Sequence, residues 1–269
     1  MDLSQVKLVV SDMDGTLLNS NDEVSSRFFE LHDQLVKLGI QFIAASGRQY
    51  YSIIDKLAPI QNNIYVIAEN GALTMFQDKE LQSITLEKNT YLEILNTART
   101  IKNATVVLCG RNRGYVETKD PEFIDFLKEY YVKYQIVPDL SKVENEHYLK
   151  VAIHHKTSSE KHLFPIFEHL QNKARIKVSA DVWLDLSNPE AHKGNALQKL
   201  QRKLGITKKE TMVFGDYNND LEMLARAKYS YAMGNAHPNV KKIVNFHTES
   251  NDNFGVERVL EELVKAKAP

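Results

Sequence analysis

Asp12-Met13-Asp14-Gly15-Thr16 sets two carboxylates one residue apart, beside a glycine and a hydroxyl. In a tight loop such a pair can bind one hard cation and still act as two separate groups in one reaction. Gly15 permits a turn, and Thr16 can hydrogen-bond the loop backbone. The plain alternative is a solvated turn closing a strand. By average residue usage, D-x-D-G-T arises by chance on the order of once in several hundred chains of this length. Three further groups are weak singly. Ser46-Gly47-Arg48 offers a hydroxyl and free N–H groups suited to a phosphate. Lys193-Gly194 can place a positive charge over a sheet edge. Gly215-Asp216-Tyr217-Asn218-Asn219-Asp220 carries carboxylates four apart, which converge if Asp220 lies in a first helical turn.

These groups need a scaffold that brings them to one edge. Val6–Val10, Ile40–Ala44, Ile64–Ile67 and Thr211–Phe214 are short apolar runs that read as buried strands. Val24, Phe28, Leu31, Leu35 and Leu38 recur at helical spacing, and Gly39 stops that helix. Strands alternating with helices make a parallel sheet covered on both faces, whose ligands sit beyond the carboxyl ends of the strands. All four groups fall at such strand or helix mouths. The rhythm changes in between. Leu73–Phe76 and Ile84–Leu86 read as a hairpin. Helices over 90–102, 121–133 and 158–170, with strands over 104–109, 114–117, 147–154, 175–178 and 182–186, suggest an antiparallel α+β unit. After Ser187 the first rhythm returns, with helices marked by Ala196–Leu204, Leu221–Ala225 and Phe254–Leu263 and strands at Tyr229–Met233 and Ile243–Phe246. The expected organisation is therefore an α/β core, residues 1–82 and 187–269, interrupted by a second domain over 83–186.

The 269 residues include 34 Lys+Arg against 35 Asp+Glu, a net charge of −1. That balance argues against a general grip on nucleic acid or anionic membrane. The single cysteine, Cys109, excludes an internal disulfide framework and a cysteine-rich zinc site. Met1-Asp2-Leu3-Ser4-Gln5 is polar, unlike a secretory signal, so a reduced cytoplasmic compartment is the default reading. His154-His155 reads as a core or surface pair, His192 as a loop residue and Trp183 as core. Phe123, Phe126, Tyr130 and Tyr131 read as a helix packing face, and Arg111–Gly114 as a polar turn. No G-x-G-x-x-G follows the first strand, which disfavours a dinucleotide site.

The four ordered groups resemble the motifs of the haloacid dehalogenase superfamily of phosphatases. The likeness is to its Cof-type subgroup with an α/β cap (class IIB), and it spans essentially the whole chain. Asn70-Gly71-Ala72 resembles a further pair common in that subgroup. The resemblance implies a Rossmann-like parallel core with an inserted cap, and hydrolysis of small phosphomonoesters such as sugar phosphates through an aspartyl-phosphate. It makes Asp12 the nucleophile and Asp14 the acid and base. Mg²⁺ would be held by Asp12, the Asp14 carbonyl and Asp216, with Asp220 behind them. The phosphate would be held by the Met13 N–H, Ser46, Gly47, Lys193 and Asn219. Arg48, Asn70 and Gly71 become possible substrate contacts. The implied partner is a small phosphorylated metabolite, with neither nucleic acid nor membrane, and the chain a monomer or small homo-oligomer. A phosphomutase, or a phosphate-binding regulator on the same fold, are the alternatives. Tyr217 departs from the pattern, standing where a small residue is usual, and Ala45 precedes Ser46 where threonine is frequent.

Overall fold

The computed structural model describes residues 2–267. Met1, Ala268 and Pro269, the ends of the expected core segments, lie outside the described residues. Strands β1 (Leu8–Asp12), β2 (Gln41–Ala45), β3 (Ile64–Ala68), β4 (Leu73–Phe76) and β5 (Lys79–Ser83) open the chain. β6 (Ala104–Gly110), β7 (Gly114–Val116), β8 (Tyr134–Ile136), β9 (Tyr148–His155), β10 (Arg175–Ala180) and β11 (Trp183–Ser187) follow. β12 (Thr211–Gly215), β13 (Tyr229–Ala232) and β14 (Phe246–His247) close it. Two sheets result, one ordered β14-β13-β12-β1-β2-β3-β4-β5 and the other β10-β11-β9-β6-β7-β8. The first is parallel from β14 to β3, with β4 and β5 antiparallel at its edge. The second is antiparallel except for the β7–β8 pair.

Every residue of β1 and β12 is buried, as expected for strands covered on both faces. The helices on the first sheet include α1 (Ser26–Lys37) and α2 (Tyr50–Lys56), while α3 (Lys88–Ala98) and α4 (Pro121–Lys128) pack on the second. Later come α5 (Ser159–His162), α6 (Phe164–Phe167), α7 (Lys193–Leu204), α8 (Leu221–Leu224), α9 (Pro238–Ile243) and α10 (Gly255–Lys267). The apolar stripe of α1 buries Phe28, Leu31 and Leu35, and the Ser25 side chain accepts the Phe28 N–H at 3.1 Å to start the helix. The Ser25 hydroxyl in turn donates to Glu257 of α10 at 2.5 Å, tying the neighbouring helix to the same cap. Gly205, in the left-handed region at φ 66°, ends α7. Among the described residues no helix is long and apolar enough to cross a membrane.

Several elements depart from the expected boundaries. The first strand runs to Asp12 and not Val10, so Asp12 is its last residue. The partner of β4 is Lys79–Ser83: Gln77 and Asp78 turn the chain at positive φ immediately after Phe76. Ile84 and Leu86 instead donate to the Ala72 and Tyr148 carbonyls, carrying the chain across to the second sheet. The expected helix over 158–170 is broken beside Pro165 into α5, α6 and a 3-10 turn. The helix from 121 stops at Lys128, short of Tyr130 and Tyr131. Pro238 opens α9, so Ile243 ends a helix and begins no strand.

β3 ends in an unusual turn in which Glu69, Asn70 and Gly71 all have positive φ, at 50°, 55° and 99°. A Cβ on Gly71 would stand 2.5 Å from the His192 backbone, just before α7. Gly71→Ala is expected to cost about 1–3 kcal/mol through this clash and the strained φ, measured as a shift in the urea midpoint.

Candidate active site

The carboxyl ends of β1, β2, β3 and β12 meet on one side of the first sheet, where all four sequence groups arrive. Lys193, the first residue of α7, is fully buried between two of them. Its Nζ donates to Asp12 Oδ1 at 2.5 Å and to Asp220 Oδ1 at 2.8 Å. The other oxygen of Asp220 accepts the backbone N–H groups of Asp216 and Tyr217, at 3.1 and 3.3 Å, and so shapes the β12 loop. The Thr16 hydroxyl donates to Asp216 Oδ1 at 3.0 Å and lies 3.5 Å from Asp12 Oδ2. Gly15 (φ 70°) is required because a Cβ there would stand 2.5 Å from the Asp216 carboxylate.

Asp12, Asp216 and Asp220 each offer an oxygen, and these oxygens lie within 4.8 Å of one another. Burial first, and then Asp220, push the Asp12 carboxyl above its ordinary range, against the pull of Lys193. The same two causes push Asp216 up to about 6. Burial disfavours the Lys193 charge, but Asp12 and Asp220 outweigh it and hold the ammonium above its usual range. Three carboxylates sharing one ammonium leave a local excess of negative charge. An all-oxygen set with that excess fits a hard divalent cation such as Mg²⁺.

The remaining expected residues surround this cluster. Ser46 is buried, accepts the Arg48 N–H at 3.0 Å and directs its hydroxyl to Asp14 at 3.4 Å. Asp14 itself is held by Arg48, whose Nη2 lies 2.6 Å from its Oδ1 and whose Nε lies 3.0 and 3.1 Å from its two oxygens. Arg48 also reaches Asp22 at 2.6 Å. Asn219 donates to the Asn70 side chain at 3.0 Å, and Gly47 packs beneath Asn70. Met13 is buried under the loop, and Gly71 packs on His192. A cavity of about 570 Å³ opens over this edge, lined by Asp12, Asp14, Arg48, Asn70, Asp216 and Asn219 from the first sheet. Its opposite wall comes from the second sheet and includes Lys150, Trp183 and Asp185. Tyr130 and Tyr131, expected on a helix face, and Trp183, expected in the core, all line it. Tyr217 lines it too and meets His237 edge-on at 5.6 Å.

Lys150, Asp185 and Glu69 fall in none of the four sequence groups. Their signal was present: one lysine inside the apolar run Tyr148–Ile153, one aspartate inside Trp183–Ser187, and a glutamate directly before Asn70. His154 packs among Phe123, Phe126 and Trp183, and His155 stacks on His162, in keeping with the core or surface reading.

A sequence profile described as haloacid dehalogenase-like hydrolase matches residues 9–260. The chain belongs to this family. The hydrolase is 31% identical, over 98% of both chains, to 5-amino-6-(5-phospho-D-ribitylamino)uracil phosphatase of Escherichia coli. It superposes on a solved protein of Streptococcus mutans with a TM-score of 0.89 and 28% identity, covering 97% of this chain and 99% of that one. A solved haloacid dehalogenase-like hydrolase of Bacteroides thetaiotaomicron gives a TM-score of 0.83 at 26% identity, covering 96% and 99% of the two chains. By class the hydrolase is a phosphatase.

Two outcomes follow from the charge balance. Lys193→Met leaves two buried carboxylates unpaired and is expected to cost about 3–5 kcal/mol of folding stability, read by urea denaturation. For Asp216, the folded group binds a proton that the unfolded chain has already released near pH 4. Its contribution to metal-free stability therefore falls as pH rises from about 4 through about 6. The stability difference between the unmodified protein and Asp216→Asn should shrink or reverse across that window, and Mg²⁺ should raise the melting temperature of the unmodified protein more than that of the variant.

Proposed function

We propose that this phosphatase hydrolyses small phosphomonoesters, sugar phosphates or related metabolites, with Asp12 as nucleophile and Asp14 as acid and base. The observation that carries the reading is the Asp12 carboxylate. It sits at the end of a buried strand, paired with the Lys193 ammonium, within a cation-suited cluster and beneath the cavity. Asp12, the Asp14 carbonyl and Asp216 would hold Mg²⁺, with Asp220 supporting them through Lys193 and the loop. The ion would supply charge neutralisation for the phosphoryl group.

One Asp12 oxygen attacks phosphorus while the bond to the leaving oxygen breaks, and Asp14 delivers a proton to that oxygen. Asp14, now a carboxylate, takes a proton from water as the water oxygen attacks the aspartyl-phosphate. The bond between phosphorus and the Asp12 oxygen then breaks, releasing phosphate and restoring Asp12. Ser46, Gly47, Asn219 and the Met13 N–H supply donors to the phosphoryl oxygens, and Lys193 adds positive charge. Arg48 fixes the position of the Asp14 side chain between turnovers. Residues 83–186 act as a cap over a core of residues 1–82 and 187–269, and they contact the leaving group. Having Asp14, a residue able to activate water, favours hydrolysis over transfer between sugar positions.

With Mg²⁺ and a generic aryl phosphate, Asp12→Asn should release no measurable phosphate, and Asp14→Asn should lose about 10²–10⁴-fold in kcat. Full activity in Asp12→Asn would refute the nucleophile.

A further inference from the structure

The wall of the cavity contributed by the second sheet has its own buried charge network. In the β9–β11 register Trp183 faces His154, Asp185 faces Ala152 and Ser187 faces Lys150. Lys150, Ala152, Trp183 and Asp185 therefore share one face, and all four line the cavity. Lys150 and Asp185 are diagonal neighbours on it, and both are buried. Lys150 Nζ lies 3.0 Å from Asp185 Oδ2, 2.9 Å from Glu69 Oε2 and 3.1 Å from the Gly47 carbonyl. The ammonium donates hydrogen bonds to Asp185 Oδ2 and the Gly47 carbonyl, and the buried Glu69 carboxylate is its ion-pair partner. Burial disfavours this charge, but Asp185 and Glu69 keep the ammonium above its ordinary range. Asn70 Nδ2 also donates to Asp185 Oδ2, at 3.3 Å. Both hydrogen bonds to this carboxylate thus fall on one oxygen, and Oδ1 is left as the acceptor that the cavity can use.

Resting on the phosphatase reading, we infer that Asp185 is the specificity-determining residue for the leaving group, accepting a hydroxyl hydrogen bond on Oδ1, and that Lys150 is a positioning residue that fixes Asp185 from Glu69. The cations lining the cavity are Lys150 and Arg48. The first is spent on two carboxylates and a carbonyl, the second on Asp14 and Asp22. Asp181 and Asp185 line the cavity too. The leaving group that fits is neutral and hydroxylated, and it rests against Trp183. A leaving group carrying a carboxylate or second phosphate meets two acids and no uncommitted cation.

The test compares three esters: sorbitol 6-phosphate, 3-phosphoglycerate and p-nitrophenyl phosphate. The unmodified protein should prefer the first over the second by about tenfold or more in kcat/KM. Asp185→Asn should raise KM for sorbitol 6-phosphate at least about tenfold more than for p-nitrophenyl phosphate, and narrow the gap to 3-phosphoglycerate. Lys150→Met should shift the same ratios, and the double variant should lose no more than the larger single loss. Where Lys150→Met does not fold, Glu69→Gln takes its place. Equal losses on all three esters, or additive losses, would overturn the inference. A binding arm separates it from the phosphatase reading. Calorimetry of sorbitol 6-phosphate on Asp12→Asn should show binding that Asp185→Asn weakens about tenfold or more. An unchanged Kd, or no binding before Asp185 is altered, overturns the inference even if no turnover is ever seen.

Discussion

The ammonium of Lys193, fully buried between Asp12 and Asp220, is the interaction on which the rest of the site depends. Removing two carboxylates and an ammonium from water is costly, and only close pairing with satisfied hydrogen bonds offsets that cost. This pairing requires three remote pieces of chain to converge: the end of β1, the loop after β12 and the first residue of α7. The parallel sheet supplies two of them as neighbours, because β1 and β12 are hydrogen-bonded side by side. The third comes from the start of a helix docked against the turn at Glu69–Gly71, close enough that Gly71 has no room for a side chain. A helix N-terminus would rather meet an anion than carry a lysine, so Lys193 is tolerated there because both its partners are acids.

The same charge arithmetic explains the reactivity of the site. One ammonium among Asp12, Asp216 and Asp220 leaves a deficit of positive charge beside Asp12, the proposed nucleophile. That deficit suits a divalent cation, and it suits the transfer of an anionic phosphoryl group only once the cation has been recruited. Asp14 lies outside the cluster, on Arg48, which separates the buried Asp12, the proposed nucleophile, from the half-exposed Asp14, the proposed acid, on one short loop. Residues Asp12 and Asp14 are two apart in sequence, yet they sit in different electrostatic surroundings, as the two proposed roles require.

How much of this could be read from the chain follows from distance along it. The loops at Asp12, Ser46, Lys193 and Asp216 were legible because each motif is local and each follows an apolar strand or opens a helix. Their convergence followed from strand alternation, which made the sheet parallel. Lys150, Asp185 and Glu69 were not legible as a group, since two different strands and the turn after a third supply them, and a lone charge names no partner. Local breakers account for most boundary errors. Pro165 broke a helix that apolar periodicity alone runs through, Pro238 started one whose last residue, Ile243, reads as the opening of a strand, and the Gln77-Asp78 turn carries none of the glycine that usually marks a hairpin. Tyr130 and Tyr131 kept a helical pattern beyond the end of α4 and reached the cavity as loop residues.

The central claim is covalent chemistry at one atom group, the Asp12 carboxylate. Rapid acid quench during turnover of a radiolabelled phosphate ester, followed by proteolysis and peptide mapping, tests it directly. Label is expected on the peptide bearing Asp12, in a linkage cleaved by hydroxylamine as an acyl phosphate is, and chased off by unlabelled substrate at the turnover rate. Label on a histidine or serine, or phosphate release with inversion at phosphorus and no trapped label, would contradict it.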